Sequence, residues 1–148
     1  CPAWHLTLLD SVGKKTAFLR HLVDALHLEH VEVITGRAED VAHQAEHRER
    51  YDVALARALA PLNVLTEYCL PFVRVGGFLV APKKAGMVAE EEAARGAIRK
   101  LGGRFRTAVP YRLPDLEELR LLVVIEKVAP TPPAFPRRAG LPARRPLT

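Results

Sequence analysis

The stretch LTLLDSVGKK, residues 6–15, decides how the rest of the sequence is interpreted. Its first four residues are typical of a buried strand, and the chain becomes polar at Asp10 before it reaches a glycine. A helical pattern follows at once, because apolar residues recur at Phe18, Leu22 and Leu26. The stretch therefore predicts a strand–turn–helix unit with a carboxylate at the strand tip and a buried apolar stripe on the helix.

Strands and helices continue to alternate after this unit. Short apolar runs predict three further strands, at 31–35, 51–56 and 78–81. Helices are predicted between them, beginning with a polar helix over 37–50, and this alternation is typical of a parallel α/β sheet. Two strands near 104–111 and 121–128 follow without a helix between them. They predict an antiparallel hairpin at one edge of the sheet.

Composition narrows the class of protein. No apolar run approaches the roughly 20 residues of a membrane span, and the opening residues lack the pattern of a signal peptide. Cys1 and Cys69 have no paired spacing, and Cys69 on its predicted helix is expected to be a small buried hydrophobe. The six histidines show no metal-ligand spacing. The sequence therefore predicts a cytoplasmic protein without a disulfide, a metal site or a membrane segment.

The last residues, 130–148, differ in composition from the 129 that precede them. They hold six of the twelve prolines and four arginines, and no acidic residue. Such proline density prevents regular ladders, which predicts an extended strap or a disordered arm. Because this tail carries four of the five excess positive charges, we expect two regions, a core over 1–129 and a basic tail over 130–148 that binds phosphates.

Three polar side chains follow the ends of predicted strands: Asp10, Glu39 and Arg57. Ligands of open α/β sheets bind beyond the carboxyl ends of the strands. The Asp10 carboxylate suits the two hydroxyls of a ribose, and Glu39 with the backbone of Ala38 suits an adenine edge. The alternatives are that Asp10 or Ser11 caps a helix, that Glu39 complements a helix dipole, and that Arg57 forms a structural ion pair.

Four segments combine into a pattern that resembles a known family: LTLLDSVGKKTAFLRHL, TGRAEDVA, YDVALARALAPLNVLTEYCLPFVRVGGFLVAPK and PTPPAFPRRAGLPARRPL. The family is that of the bacterial 16S rRNA (guanine-N7) methyltransferases, also called small-subunit methyltransferase G or glucose-inhibited division protein B. The resemblance covers nearly the whole chain. It implies a class I S-adenosylmethionine-dependent methyltransferase fold with a Rossmann-like sheet, and methyl transfer to N7 of a guanine in 16S rRNA.

The resemblance also implies the roles of individual residues. The implied cofactor site has Asp10, Ser11 and Val12 by the ribose, Ala38 and Glu39 by the adenine, and Arg57 by the cofactor and the guanine pocket, where it is the candidate catalytic residue. The implied RNA-binding residues are Lys83, with Lys84 as its alternative, and the tail residues Arg137, Arg138, Arg144 and Arg145. The implied partner is 16S rRNA or the small ribosomal subunit, and a monomer without metal or membrane contact is expected.

The chain departs from the family at its beginning. The first strand and the glycine-rich loop that holds the methionine part of the cofactor lie upstream in the family and are absent here. That strand would lie between strands 6–9 and 51–56, so we expect an interrupted sheet, whose unpaired backbone groups are costly. The 148 residues alone are therefore expected to bind cofactor poorly.

Two other interpretations remain open at this point. One is a dinucleotide-dependent oxidoreductase domain, which also holds a ribose with an acidic residue at a strand end. The other is a non-catalytic RNA-binding remnant of the methyltransferase.

Overall fold

The order of strands and helices follows the predicted alternation. The structure, a computed structural model, describes residues 4–57, 60–84, 88–114 and 116–148, without the side chains of 88, 89, 91, 116 and 117. The strands are β1 (Leu6–Asp10), β2 (Val31–Thr35), β3 (Tyr51–Leu55), β4 (Val73–Lys84), β5 (Gly103–Leu113) and β6 (Leu116–Lys127). The helices are α1 (Gly13–Ala25), α2 (Ala38–Val41), α3 (Leu62–Cys69), α4 (Val88–Lys100) and α5 (Leu141–Arg144).

The strands of the described residues form two sheets. Strands β1 and β2 pair in parallel, and the other four follow the order β3-β4-β6-β5, in which only β3 and β4 are parallel. No ladder joins β1 to β3 in this part of the chain. The α/β class and the antiparallel hairpin are confirmed, and the sheet is interrupted between the two strands where an interruption was expected.

Helices α3 and α4 cover one face of the four-stranded sheet. Leu62, Leu79, Ile98 and Ile125 are fully buried there, and each such side chain stabilises the fold by about 1.5–3 kcal/mol relative to leaving it exposed. Cys69 is buried in the same core as expected, and its burial raises the pKa of the thiol to about 12. This face holds the main hydrophobic core of the described residues.

The opposite face of the same sheet is open. Val53 pairs with Phe78 and Leu55 with Val80 across the β3–β4 ladder, so these four side chains share that face. Leu55 is 71% exposed and Val53 is 52% exposed. Apolar residues on β3 therefore lie open to solvent in this structure.

The stripe predicted on α1 is not buried. Phe18 is 59% exposed and Leu26 is 62% exposed, while Leu22 is half-buried. The two-stranded sheet beneath α1 is too narrow to cover the whole stripe. The fully buried residue of this helix is Thr16, whose hydroxyl lies 2.7 Å from that of Thr35 on β2.

The polar helix predicted over 37–50 is wrong in length, because α2 covers only four residues. Glu49 has a φ of 53°, which lies in the left-handed region and outside helical geometry. Arg48 turns inward and ties this segment to the C-terminal tail. Its guanidinium donates hydrogen bonds to four backbone carbonyls, those of Ala42, Thr131, Pro132 and Phe135.

The tail over 130–148, here called the strap, packs against the rest of the chain, as the strap alternative predicts. Thr131, Phe135 and Leu147 are at most 9% exposed. Lys127 at its base is fully buried and lies 2.9 Å from a carboxylate oxygen of Glu49. The boundary that we expect between residues 129 and 130 remains a prediction. None of the described helices has both the length and the apolar character needed to cross a membrane.

Candidate functional site

A cleft of about 570 Å³ lies between β1 and β3. Residues from the carboxyl end of β1 and from the start of α2 line it, and so do the apolar residues of β3. Across the cleft, Tyr51 on β3 donates a hydrogen bond to Thr7 on β1, with 3.2 Å between the two oxygens. The cleft therefore lies at the interruption of the sheet, between the edges of β1 and β3 that are not joined by a ladder of hydrogen bonds.

Five of the residues expected to bind cofactor line this cleft together: Asp10, Ser11, Val12, Ala38 and Glu39. They come from two places, the end of β1 with the turn after it and the start of α2 after β2. Because these strands are parallel and adjacent, their carboxyl ends lie at the same edge of the sheet. The topology brings together residues that are about 30 positions apart in the sequence.

Asp10 ends β1 with a partly accessible carboxylate. Its Oδ1 accepts a hydrogen bond from the backbone N–H of Val12 at 2.8 Å, and its Oδ2 lies 3.5 Å from the ammonium of Lys15. The side chain is 30% exposed. Val12 is itself the N-cap residue of α1, and the helix has no side-chain cap. Asp10 thus shapes the turn before the helix, and its second oxygen has no hydrogen-bond donor closer than the lysine among the described residues.

Glu39 lies in the wall of the cleft but also holds the strap. It is 4% exposed, and its Oε1 accepts a hydrogen bond from the backbone N–H of Gly140 at 2.8 Å. Arg37 approaches the same oxygen at 3.9 Å. This contact with the strap was not anticipated from the sequence, because Glu39 and Gly140 are separated by most of the chain.

Arg57 is exposed and follows β3 at its carboxyl end. It has no hydrogen bond or ion pair with any residue that the structure describes, so the structural ion pair that was its alternative is not found there. Ala56, immediately before it, lines the cleft, whereas Arg57 does not. Residues 58 and 59 of the ARALAP motif lie outside the described residues.

Lys83 and Arg137 are engaged in ion pairs. The ammonium of Lys83 lies 2.6 Å from Glu90 and donates to the carbonyl of Ala60. The Arg137 guanidinium donates three hydrogen bonds to the fully buried carboxylate of Glu67, and these bonds raise the pKa of the guanidinium. The prediction that these two residues bind RNA therefore has less support than the prediction for the other arginines of the strap.

The remaining arginines of the strap face solvent: Arg138, Arg144 and Arg145 are all exposed. Lys84, the alternative to Lys83, is exposed as well and pairs at 3.4 Å with Glu118. Of the predicted RNA-binding residues, Lys83 and Arg137 thus face inward, whereas the other three arginines of the strap and the alternative lysine, Lys84, face outward.

Sequence reasoning missed Tyr51 as a residue of this region. Its hydroxyl bridges the two sheets and lies 2.7 Å from Nδ1 of His47. In the sequence Tyr51 is the first residue of a predicted strand, and His47 lies within the polar helix predicted over 37–50. Their contact depends on the early end of α2, which no local pattern indicated.

The residues that line the cleft carry the chemical groups needed to bind a nucleoside. The accessible carboxylate of Asp10 can accept hydrogen bonds from a ribose diol, as sequence reasoning expected. Val12 and the apolar residues of β3 supply surface for an apolar ring. No cluster of three or more potential metal ligands is found in the part of the chain that the structure describes.

Comparison with known proteins gives one family, the same as that indicated by the sequence motifs. The family model described as rRNA small subunit methyltransferase G matches residues 1–110. The chain is 52% identical over 146 residues to ribosomal RNA small subunit methyltransferase G of Roseiflexus castenholzii, a match that covers 99% of this chain and 62% of the relative. The chain therefore spans about three fifths of the length of such relatives.

Solved structures show the same fold at lower identity. An rRNA methylase from Streptococcus thermophilus matches with a TM-score of 0.55 at 21% identity, covering 84% of this chain and 74% of that one. A geranyl diphosphate methyltransferase in complex with S-adenosylmethionine matches with a TM-score of 0.59 at 11% identity, covering 84% of this chain and 69% of that one. These likenesses confirm the class I methyltransferase fold.

Proposed function

Because this chain belongs to the rRNA small subunit methyltransferase G family, we propose that it acts as part of an enzyme that methylates N7 of a guanine in 16S rRNA. The methyl donor is S-adenosylmethionine, and the substrate is 16S rRNA, free or within the small ribosomal subunit. The proposed enzyme is a cytoplasmic monomer.

The observation that carries this proposal is the convergence of predicted cofactor residues on one cleft. Asp10 ends β1 and is followed by Ser11 and Val12, whereas Ala38 and Glu39 begin α2 after β2. Asp10 would hold the ribose, and the backbone of Ala38 would meet the adenine. Oε1 of Glu39 already accepts the N–H of Gly140, so in this role Glu39 supports the wall of the site as much as it contacts a ligand.

The chemistry requires little from acid–base groups of the protein. S-adenosylmethionine supplies an electrophilic methyl group, and guanine N7 has an in-plane lone pair and no proton to lose. The contribution of the protein is therefore positioning, which brings two reactants into line and removes entropic cost from the reaction. Arg57 at the end of β3 would orient the base or the carboxylate of the cofactor, since a cation beside N7 itself would oppose the positive charge that develops there.

The strap would supply electrostatic attraction for the RNA. Arg138, Arg144 and Arg145 are exposed on it, and each cation that neutralises a phosphate releases a counterion. Contacts of this kind position a nucleic acid but carry no sequence information. The choice of guanine would therefore depend on the region around Arg57 and not on the strap.

The proposal is tested with the protein encoded by the complete reading frame. We expect it to transfer labelled methyl groups to 16S rRNA, with the label recovered as 7-methylguanosine by mass spectrometry. Asp10→Ala is expected to raise the Kd for S-adenosylmethionine about 10–100-fold, because hydrogen bonds to a charged group contribute about 1.5–3 kcal/mol each. Asp24→Ala, an exposed carboxylate on α1, is the matched control and should leave the Kd unchanged.

Three outcomes would contradict the proposal. Displacement of a bound nucleoside by NAD and not by S-adenosylhomocysteine would favour the oxidoreductase interpretation. RNA binding without any methyl transfer would favour a non-catalytic remnant. An unchanged Kd in Asp10→Ala would remove the ribose contact on which the cofactor site depends.

A further inference from the structure

Glu39, in the wall of the cleft, is held by the strap through one of its two carboxylate oxygens. Its Oε1 accepts the backbone N–H of Gly140 at 2.8 Å, and the residue is 4% exposed. Its Oε2 accepts no hydrogen bond from any residue that the structure describes, although Glu39 lines the cleft. One oxygen is therefore fixed to the strap, and the other remains available to a ligand in the cleft.

The strap is itself anchored at Arg137, just before Gly140 in the chain. The guanidinium and the backbone N–H of Arg137 both donate to the carboxylate of Glu67, and the bond from Nη2 to Oε2 is 2.7 Å long. Glu67 is fully buried and lies on α3, a helix of the main hydrophobic core. Bonds of a guanidinium to both oxygens of a carboxylate are strong and fix the geometry of the pair. The position of Gly140 is therefore set relative to the core.

Further contacts hold the strap on the other side of Arg137. Nε2 of His43 lies 2.8 Å from the carbonyl oxygen of Pro136, and Arg48 donates to the carbonyl of Phe135 at 2.9 Å. His43 and Arg48 both belong to the segment that follows α2. The strap is therefore bound to α3 and to the segment after α2, and it connects the two.

Glu39 lies in the first turn of α2, a helix too short to fix its own position. Helix α2 covers only Ala38–Val41, and short helices are marginal without tertiary contacts. Its N-cap residue, Arg37, makes no side-chain cap. The helix therefore depends on contacts outside it, and the bond from Gly140 to Glu39 is one of them. The same bond restricts the rotamer of Glu39, because it holds one end of the carboxylate in place.

We propose that Gly140 and Arg137 are positioning residues for the cofactor site, acting through the carboxylate of Glu39. The inference rests on the proposed function and deepens it, because it gives the inner surface of the strap a task in cofactor binding. Gly140 holds Glu39 and the first turn of α2 in the conformation that binds the nucleoside part of S-adenosylmethionine. Neither positioning residue contacts the cofactor, so their loss weakens cofactor binding without removing the ribose contact of Asp10.

The test compares two glycines of similar backbone geometry in the protein encoded by the complete reading frame. Gly140 has a φ of 79° and Gly76 has a φ of 84°, so alanine is strained at both positions. A Cβ at Gly140 would meet nothing within 4 Å, and a Cβ at Gly76 would meet only the end of the Arg74 side chain. Gly76 does not line the cleft. The two substitutions therefore impose similar strain, but only Gly140→Ala disturbs the N–H that Glu39 accepts.

Calorimetric titration with S-adenosylmethionine gives the Kd of each variant. We expect Gly140→Ala to raise the Kd about 3–10-fold, because Glu39 is no longer preorganised for binding. Gly76→Ala should lower the Tm by a similar amount and leave the Kd unchanged. In the Glu39→Ala background, Gly140→Ala should change the Kd less than about twofold, because residues that act through one contact are not additive.

A second variant tests the same connection if Gly140→Ala fails to fold. Arg137→Lys keeps a positive charge beside Glu67 but lacks the planar fork that bonds both carboxylate oxygens. We expect it to raise the Kd for S-adenosylmethionine about threefold, because the strap is held less firmly against the core. Arg99→Lys makes the same change at an exposed site on α4 and should leave the Kd unchanged.

The outcomes separate the inference from the proposed function. If the unaltered protein binds S-adenosylmethionine and Gly140→Ala binds it as tightly as Gly76→Ala does, the inference is wrong and the proposed function stands. A merely structural role predicts a loss of affinity in Gly140→Ala that persists undiminished in the Glu39→Ala background, and that result also overturns the inference. If the unaltered protein binds no S-adenosylmethionine, the proposed function is wrong, and the inference that rests on it fails as well.

Discussion

Beneath the strap, buried charges are paired at hydrogen-bond distance, whereas along the cleft apolar strand residues lie open to solvent. Glu67 is fully buried and bonded to Arg137 on the strap side, while Leu55 on the cleft side is 71% exposed. The buried charged groups beneath the strap are therefore paired by hydrogen bonds within the chain. The cleft side leaves apolar surface and strand edges exposed, at the place where the family resemblance implies a further strand.

The largest expected effect comes from breaking the strap side. Arg137→Ala leaves the carboxylate of Glu67 buried without its partner, which is expected to lower the free energy of unfolding by about 3–5 kcal/mol. Arg138→Ala, the exposed neighbour, should change it by less than about 0.5 kcal/mol. Urea unfolding of the protein from the complete reading frame measures both. Equal effects of the two substitutions would erase the distinction between the inner and outer surfaces of the strap.

A smaller effect, on RNA binding, is expected from the arginines on the outer surface of the strap. Replacing Arg138, Arg144 and Arg145 with alanine should weaken RNA binding and reduce the slope of log K against log salt by about 2, since each phosphate contact on a single strand contributes about 0.7. The double variant Arg99→Ala and Arg112→Ala removes exposed cations elsewhere. It should alter the slope much less per charge when fluorescence anisotropy is measured over a range of salt. A salt slope unchanged by the strap substitutions would contradict the proposed RNA contact.

The smallest effect is a pH dependence that arises at the base of the strap. Burial alone raises the pKa of Glu49, but hydrogen bonds from the backbone of Thr131 and from Lys127, with the charges of Lys127 and Arg48, outweigh it and hold the pKa below its usual value. A carboxyl group of this kind stabilises the fold above its unfolded pKa of about 4.5, and the stabilisation is lost as pH falls through the folded pKa.

Glu49→Gln should therefore reduce the acid-induced loss of stability. Because the variant has no carboxyl group to protonate, its drop in Tm between about pH 7 and about pH 3 should be smaller than that of the unaltered protein. The absolute Tm at about pH 7 should also fall, since Lys127 loses its charged partner. Glu46→Gln, a nearby exposed carboxylate, serves as the control. Parallel Tm curves for Glu49→Gln and the unaltered protein would show that Glu49 contributes no such dependence.

Local patterns predicted most of the fold and the part of the candidate site that lies at the ends of β1 and β2. The strand ending at Asp10 and the helix after it follow from periodicity, and the convergence of Asp10 with Ala38 follows from parallel pairing. The inward turn of Arg48 could not be predicted, because three of its four carbonyl partners lie more than 80 positions away in the strap. The exposure of Phe18 was missed for a related reason: periodicity shows which face is apolar but not what covers it.

Sequence reasoning treated the four arginines of the strap alike, because the contacts that distinguish them are with residues far away in the sequence. Arg137 and Arg138 are neighbours with the same chemistry, and only the buried Glu67 distinguishes them. Glu67 itself belongs to the motif that carries the family resemblance, yet its spacing gives no sign of a partner 70 positions further along the chain.

Glu39 belongs to both surfaces, since it lines the cleft and accepts the N–H of Gly140. A ligand that shifts this carboxylate would also shift the docking of α5, and by thermodynamic reciprocity a partner bound to α5 would alter the affinity of the cleft by the same factor. The two binding events would then be coupled, so that occupation of the cleft changes the affinity of α5 for its partner, and occupation of α5 changes the affinity of the cleft for its ligand.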